Sequence, residues 1–188
     1  MQNEKRLAAQ IVGGGAQAFA EFVDRYGPRL HRLVCRYAVN EADAEDVTQE
    51  IFVELYRSLG TFQGKSTLAT WVYRVALNHC LKHRERAAPI AVVYEEAKHQ
   101  MPDPASGPAE CAMQSDLSRE IHSALNYLSP LQRDVVILHE LHELTYRECA
   151  EILQVPVGTV KSRLSHAVQH LKSRLRSYVL METEEAAS

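Results

Sequence analysis

The stretch from Leu144 to Leu175, LTYRECAEILQVPVGTVKSRLSHAVQHLKSRL, constrains the fold most, because its punctuation leaves one local solution: helix, tight turn, helix. Thr145 is placed to N-cap the first helix, and Glu148, three residues on, to reach back to the cap's own amide, a capping box. Tyr146, Cys149, Ala150 and Leu153 then recur at helical spacing. The first helix is expected to end near Val155. Pro156 lacks an amide proton but is tolerated in a first helical turn, so it closes one helix and opens the next. In the second helix Val157, Val160, Leu164, Val168, Leu171 and Leu175 step by three or four into an inward stripe, leaving Thr159, Lys161, Ser162, Arg163 and His166 outward. Between Ile152 and Met181 there is no Asp or Glu, whereas Lys161, Arg163, Lys172, Arg174 and Arg176 are all basic. A basic helix entered by a short turn, with short polar donors beside Lys and Arg at its start, has the form of a helix-turn-helix that enters the DNA major groove. A solvated helix in an ordinary bundle is the competing reading, and the missing acids weigh against it.

Charge is segregated along the chain. The net charge of −3 over 188 residues hides five basic residues against the single acid Glu85 between Phe62 and Arg86. Acids gather instead at Glu95, Glu96, Asp103 and Glu110, and in an acidic tail over 181–188. Local charge, not the total, decides a nucleic-acid footprint. No stretch approaches the ~18 apolar residues of a membrane span, and the start MQNEKRLAAQ lacks the apolar core of a signal peptide. A cytoplasmic location without direct membrane insertion is expected. Cys35, Cys80, Cys111 and Cys149 form no C-x-x-C and are expected as reduced thiols. His79 and His83, and His166 and His170, stand at i and i+4, and His139 and His142 at i and i+3. His139-Glu140-Leu141-His142 is one residue short of the H-E-x-x-H metal motif, and no third ligand is evident. Neither metal, cofactor nor catalytic group is expected.

Gly13 to Gly15 separate a short first helix from a longer one carrying Phe19, Phe22, Val23, Tyr26, Leu30, Leu33, Val34 and Tyr37 as its apolar stripe; Gly27-Pro28 suggests a bend or an interruption. In the next helix, DAEDVTQEIFVELYRSL, Val47, Ile51, Val53, Leu55 and Leu59 supply the apolar residues, and Asp43, Asp46, Gln49, Glu50 and Glu54 line the other side. A turn-rich loop, TFQGKST at 61–67, leads into a helix from about Leu68 to Arg86. Phe62, Trp71 and Tyr73 beside Lys65, Arg74, Asn78 and Lys82 suit stacking of unpaired bases and holding of phosphates, although Trp71 is equally readable as core. Residues 87–111, with Pro89, Pro102, Pro104 and Pro108, read as a flexible linker able to span roughly 80 to 90 Å when extended. Beyond it Leu117, Ile121, Leu125 and Leu128 suggest another amphipathic helix. Ser129-Pro130-Leu131-Gln132 then starts a helix with cap, N1 proline and box, and Val135, Val136, Leu138 and Leu141 continue inward. The fold class is all-α: two small helical domains, 1–86 and 112–180, joined by the linker.

Taken in order, AFAEFVDRYGPRL at 18–30, DAEDVTQEIFVELYRSL at 43–59, TFQGKSTLATWVYRVALN at 61–78, the proline-broken linker, and LSPLQRDVVIL followed by LTYRECAEILQVPVGTVKSRL resemble a sigma-70 family sigma factor of the extracytoplasmic-function type. The resemblance implies that Asp46, Gln49 and Glu50 dock on the clamp helices of the largest RNA polymerase subunit, with the flap as a further core contact. It implies that Phe62, Lys65, Ser66, Trp71, Arg74, Asn78 and Lys82 recognise and open the minus-ten promoter element. Thr159, Lys161, Ser162, Arg163 and His166 would read the minus-thirty-five element, and an anti-sigma factor would be a further partner. Lys161 lacks the planar fork of the Arg frequent there and Ser165 is smaller than the residue usual there, so the resemblance does not carry over a preferred minus-thirty-five sequence. A regulator that binds DNA without polymerase is the alternative; the D-x-x-Q-E helix argues against it.

Overall fold

Glycine turns and side-chain caps set the helix boundaries. The computed structural model describes residues 2–98 and 123–185, with side chains described as far as Arg86 in the first segment and Ser173 in the second. The chain divides into two units, Met1–Ala112 and Met113–Ser188. Each is helical, with no strand among the described residues, as the all-α reading requires.

The first unit comprises α1 (Gln2–Val12), α2 (Ala16–Val34), α3 (Glu41–Ser58), a 3-10 turn (Leu59–Thr61) and α4 (Leu68–Lys98). The break between α1 and α2 needs glycine: Gly14 has φ +85°, and a Cβ on Gly15 would sit 2.7 Å from the Gln10 carbonyl oxygen. Phe22, Tyr26, Leu30, Leu33 and Val34 are buried along one face of α2. Each such side chain contributes about 1.5–3 kcal/mol over an exposed one. That face keeps α2 helical through Gly27-Pro28. Pro28 is exposed, and the carbonyl it leaves without a donor belongs to exposed Asp24, where water can replace the bond. At the start of α3, Asn40 Oδ1 accepts from the Asp43 amide at 2.9 Å and Asp43 Oδ2 accepts from the Val39 amide at 2.9 Å.

Two expectations fail here. Residues 87–98, expected as the first part of the linker, continue α4 as helix. Ala87, Ala88, Ala91, Glu95, Glu96 and Ala97 are good helix formers, and they outweigh the one hydrogen bond that Pro89 removes. The remainder of the linker, residues 99–111, and Leu117 and Ile121 of the next amphipathic pattern, lie outside the described residues, as does the end of the acidic tail. Cys35 is disulfide-bonded, against the reading of four reduced thiols. It is only half-buried at the end of α2, whereas Cys80 and Cys149 are buried and take part in no disulfide.

The second unit comprises a helical turn at 123–126, α5 (Pro130–Val136), a π turn (Ile137–Leu141), α6 (Tyr146–Leu153) and α7 (Val157–Glu185). Both capping boxes form, Ser129 with Gln132 and Thr145 with Glu148. Arg133 ties α5 back to the preceding turn by donating to the Leu125 and Asn126 carbonyls at 3.0 and 3.3 Å. The π turn was not legible in the sequence. It inserts one residue per turn, so the apolar phase slips, and Leu141 points outward at 38% exposure.

Candidate polymerase and promoter DNA interfaces

On α3 the buried series Val47, Ile51, Leu55 holds the helix down, and the opposite face carries Asp46, Gln49 and Glu50 exposed together. With Val53, Glu54, Arg57 and His79 they line one shallow groove. Glu50 Oε2 lies 3.0 Å from His79 Nε2, which joins the acidic face to α4. Asp43, expected on that face, turns instead toward His83, whose Nε2 is 3.0 Å from Asp43 Oδ1. Val53, grouped by sequence with the apolar side of α3, is 47% exposed and lines the groove. It follows Asp46 by seven residues and Gln49 by four, so helical spacing alone places it there.

The loop after the 3-10 turn begins with Phe62, whose ring packs tilted on Trp71 at 5.8 Å; both are half-buried. Lys65 is exposed, and the half-buried Ser66 hydroxyl donates to the Thr67 carbonyl at 3.3 Å. Along α4, Trp71, Arg74, Asn78 and Lys82 step by three or four and share one stripe. Asn78 and Lys82 are exposed, while Arg74 is half-buried with its Nε enclosed and without a hydrogen-bond partner among the described residues. Tyr73 leaves this group. It is 1% exposed, and burial raises its phenol pKa despite the opposing pull of Arg29 and Arg32. Its neighbours Val72, Ala76 and Leu77 share that core.

In the second unit Thr145 Oγ1 accepts from the Glu148 amide at 3.3 Å, and Glu148 Oε2 accepts from the Thr145 amide at 2.9 Å. α6 ends at Leu153, close to the expected Val155, and Gln154 caps it in the left-handed conformation at φ 55°, ψ 42°. The Pro156 carbonyl then accepts from Thr159 and Val160 at 2.9 and 3.2 Å, so the proline acts as the cap residue of α7. Val160, Leu164 and Ala167 form the buried face of α7. Val157, expected inward, is 38% exposed in the first turn of α7. Leu175 lies outside the residues with described side chains. Lys161, Ser162 and His166 are exposed and Thr159 and Arg163 half-buried, all on the outer side. Lys161 Nζ lies 5.5 Å from the centroid of the Tyr146 ring, which stacks on His139 at 4.3 Å. His139 Nδ1 donates to the Leu144 carbonyl at 2.7 Å. Sequence spacing gave no sign of this stack, since it joins three separate elements.

Among the described residues no three His, Cys, Asp or Glu side chains are grouped to hold a metal ion, and no helix is long and apolar enough to cross a membrane.

Residues 22–89 match the Sigma-70 region 2 model and residues 118–171 the Sigma-70, region 4 model. The RNA polymerase sigma-H factor of Pseudomonas aeruginosa is 30% identical over 184 residues, covering 93% of this chain and 95% of that one. The ECF RNA polymerase sigma-E factor of Escherichia coli K12 is 32% identical over 181 residues, covering 92% and 94%. The chain belongs to the extracytoplasmic-function branch of the sigma-70 family. It is an alternative sigma factor. Among solved structures, CnrH in complex with the cytosolic domain of CnrY is similar with a TM-score of 0.70 at 25% identity, covering 93% of this sigma factor and 97% of CnrH. The sigma factor RpoE of Bartonella quintana, in complex with the anti-sigma factor NepR, shares the fold with a TM-score of 0.66 at 24% identity, covering 86% and 98%. The groove on α3 and the α4 stripe fall inside the region 2 match, and the helix-turn-helix inside the region 4 match.

Proposed function

We propose that this sigma factor divides its work between the two units, with residues 1–86 as the polymerase-docking and minus-ten domain and residues 112–180 as the minus-thirty-five domain. Asp46, Gln49 and Glu50 dock on the clamp helices of the largest RNA polymerase subunit, and the second unit also contacts the flap. Val53 adds an apolar centre to the docking groove, and Arg57 its basic end. The segregation of surface chemistry carries this reading: acids and an amide on the outer face of α3, an aromatic and basic stripe on α4, and a basic stretch without Asp or Glu over residues 157–180 of α7.

Phe62, Lys65, Ser66, Trp71, Arg74, Asn78 and Lys82 engage the minus-ten element. Opening the duplex costs unstacking and unpairing, which aromatic stacking and hydrogen bonds to captured bases offset. Thr159, Lys161, Ser162, Arg163 and His166 approach the minus-thirty-five element. There, contacts to phosphates supply salt-dependent attraction and contacts to base edges supply choice. The chain itself performs no bond chemistry; polymerisation belongs to the core enzyme. The work is cytoplasmic, and an inhibitory protein partner holds the sigma factor between rounds of use, as suggested by CnrH being bound to the cytosolic domain of CnrY.

The test is run-off transcription by purified core polymerase with and without this protein, on genomic promoter fragments including the one upstream of its own gene. Promoter-specific transcripts that vanish with Gln49→Ala or Lys161→Ala are expected. Intact duplex binding with no transcript would replace this reading by a DNA-binding regulator that works without polymerase. For the inhibitory partner, capture of core polymerase alone under every growth condition would count against it.

A further inference from the structure

Two residues of α1 reach the loop ahead of α4. Glu4 Oε1 accepts from the Leu68 amide at 3.2 Å, across a sequence separation of 64 and in a half-buried position. Leu68 opens α4, so this amide is one of those a helix start leaves without an intrahelical partner. Thr67 serves another, its Oγ1 accepting from the Thr70 amide at 3.1 Å. A carboxylate at this end also faces the positive pole of the helix dipole. Beside it, Lys5 covers Gly64, which is buried with φ +69°; a Cβ on Gly64 would run into the Lys5 side chain. Ala8, Ala9 and Val12 of α1 continue the contact as one wall of a cleft whose other wall is Leu59, Gly60 and Phe62. Residues 2–12 lie outside the 22–89 span that matches region 2.

We propose that Glu4 and Lys5 are positioning residues, which hold the loop at 61–67 and the first turn of α4 in the shape that captures minus-ten bases. Choice among minus-ten sequences then depends on α1, more than fifty residues away in the chain. This rests on reading that loop as the minus-ten reader. Thr67 caps the Thr70 amide, and Glu4 supplies the acceptor for the Leu68 amide. Lys5 limits where Gly64 can move, and Gly64 supplies the left-handed turn that brings Lys65 to the surface.

The experiment uses the full-length protein with core polymerase. Glu4→Ala, Glu4→Gln and Gly64→Ala are compared with the parent on duplex promoters carrying single-base minus-ten changes, with circular dichroism and labelled-core binding as controls. Glu4→Ala is expected to lower duplex transcription about fivefold, the effect of a lost helix cap, and to flatten the preference among minus-ten variants. Glu4→Gln keeps an acceptor and should recover most of the yield and preference. Gly64→Ala should flatten the preference as Glu4→Ala does. Core affinity stays at the parental value in all three. Parental yield and preference in both Glu4→Ala and Gly64→Ala would overturn the proposal, as would an equal loss on every promoter together with weakened core binding. A parent that directs no promoter-specific transcription would overturn the reading of the loop itself, and the proposal with it.

Discussion

The two faces of α7 can be separated by substitution. Leu164 is 6% exposed against α6 and the rest of the second unit, whereas Lys161 is exposed. Leu164→Ala removes three buried carbons' worth of side chain and leaves a cavity, a change that costs about 3 kcal/mol. With a stability of about 5 kcal/mol for a unit of this size, folded molecules would fall from roughly 5,000 to roughly 30 for each unfolded one. The variant therefore remains mostly folded at 25 °C and keeps nearly all its minus-thirty-five affinity there. Its melting temperature drops by about 12–24 °C, since each kcal/mol shifts a unit this small by about 4–8 °C. Lys161→Ala does the reverse. It loses a stacking contact on Tyr146 worth about 0.5–1 kcal/mol at an exposed site, so melting falls by only a few degrees. Its affinity for a minus-thirty-five duplex falls by about 1–3 kcal/mol if Lys161 contacts a base edge. Scanning calorimetry of the full chain and fluorescence anisotropy with a labelled duplex read the two quantities separately. An affinity loss in Leu164→Ala as large as that of Lys161→Ala at 25 °C, or equal melting shifts in the two, would refute the separation of scaffold from contact.

Other outcomes follow from the same geometry. Thr145→Ala deletes one half of the capping box and should cost the second unit about 1 kcal/mol in urea melts, with Glu148→Ala adding less than its separate effect because the two share the interaction. Burial holds the Cys149 thiol at a pKa of about 12 against an ordinary 9.0, with Glu148 pushing the same way. The folded state keeps this proton when the unfolded chain has lost it, so the contribution to stability is complete below pH 9 and is lost as pH rises from about 9 to about 12. Peptide mapping after iodoacetamide treatment at pH 8 should accordingly find Cys149 labelled about a thousandfold more slowly in native protein than in urea, and similar rates would contradict its burial. Duplex binding should weaken linearly with the logarithm of salt concentration, and Arg163→Ala should reduce the slope by about 0.9 if its guanidinium meets a phosphate; an unchanged slope removes Arg163 from the phosphate contacts.

What could be read from sequence was whatever local chemistry decides. Both capping boxes, the helix-turn-helix and the α2 stripe form as spaced, because a cap needs only its own next three residues and a stripe only its own period. The errors sit where a second element decides. Tyr73 and Trp71 are two residues apart on one helix with similar polarity, and only the position of α2 and α3 against α4 makes the first core and the second half-exposed. Val53 looks apolar enough for the core, yet the period of Val47, Ile51 and Leu55 already filled it. Leu141 was displaced by the π turn, whose extra residue no propensity marks. Asp43 was assigned to the acidic face although two partners, the Val39 amide and His83, claim it. Glu4 was invisible for a simpler reason: its partner amide lies 64 residues further along the chain.

Charge segregation also fixes an order of events under the proposed assignment. A free chain with net charge −3 carries Asp46 and Glu50 on α3, which packs against α4 with its basic stripe, so a DNA phosphate approaching that stripe meets the acids' repulsion as well, to a degree set by salt. Docking of α3 on a complementary polymerase surface neutralises those acids at the step that brings the stripe to the promoter. Core binding and DNA binding are then thermodynamically coupled, and each must strengthen the other by the same factor. Glu50→Gln separates this from docking alone: it should weaken core binding yet raise the affinity of the free chain for minus-ten DNA, and the gain should fade as salt is raised. A Glu50→Gln chain that binds DNA no better than the parent at low salt would break the coupling argument, while leaving the docking assignment to stand on core affinity.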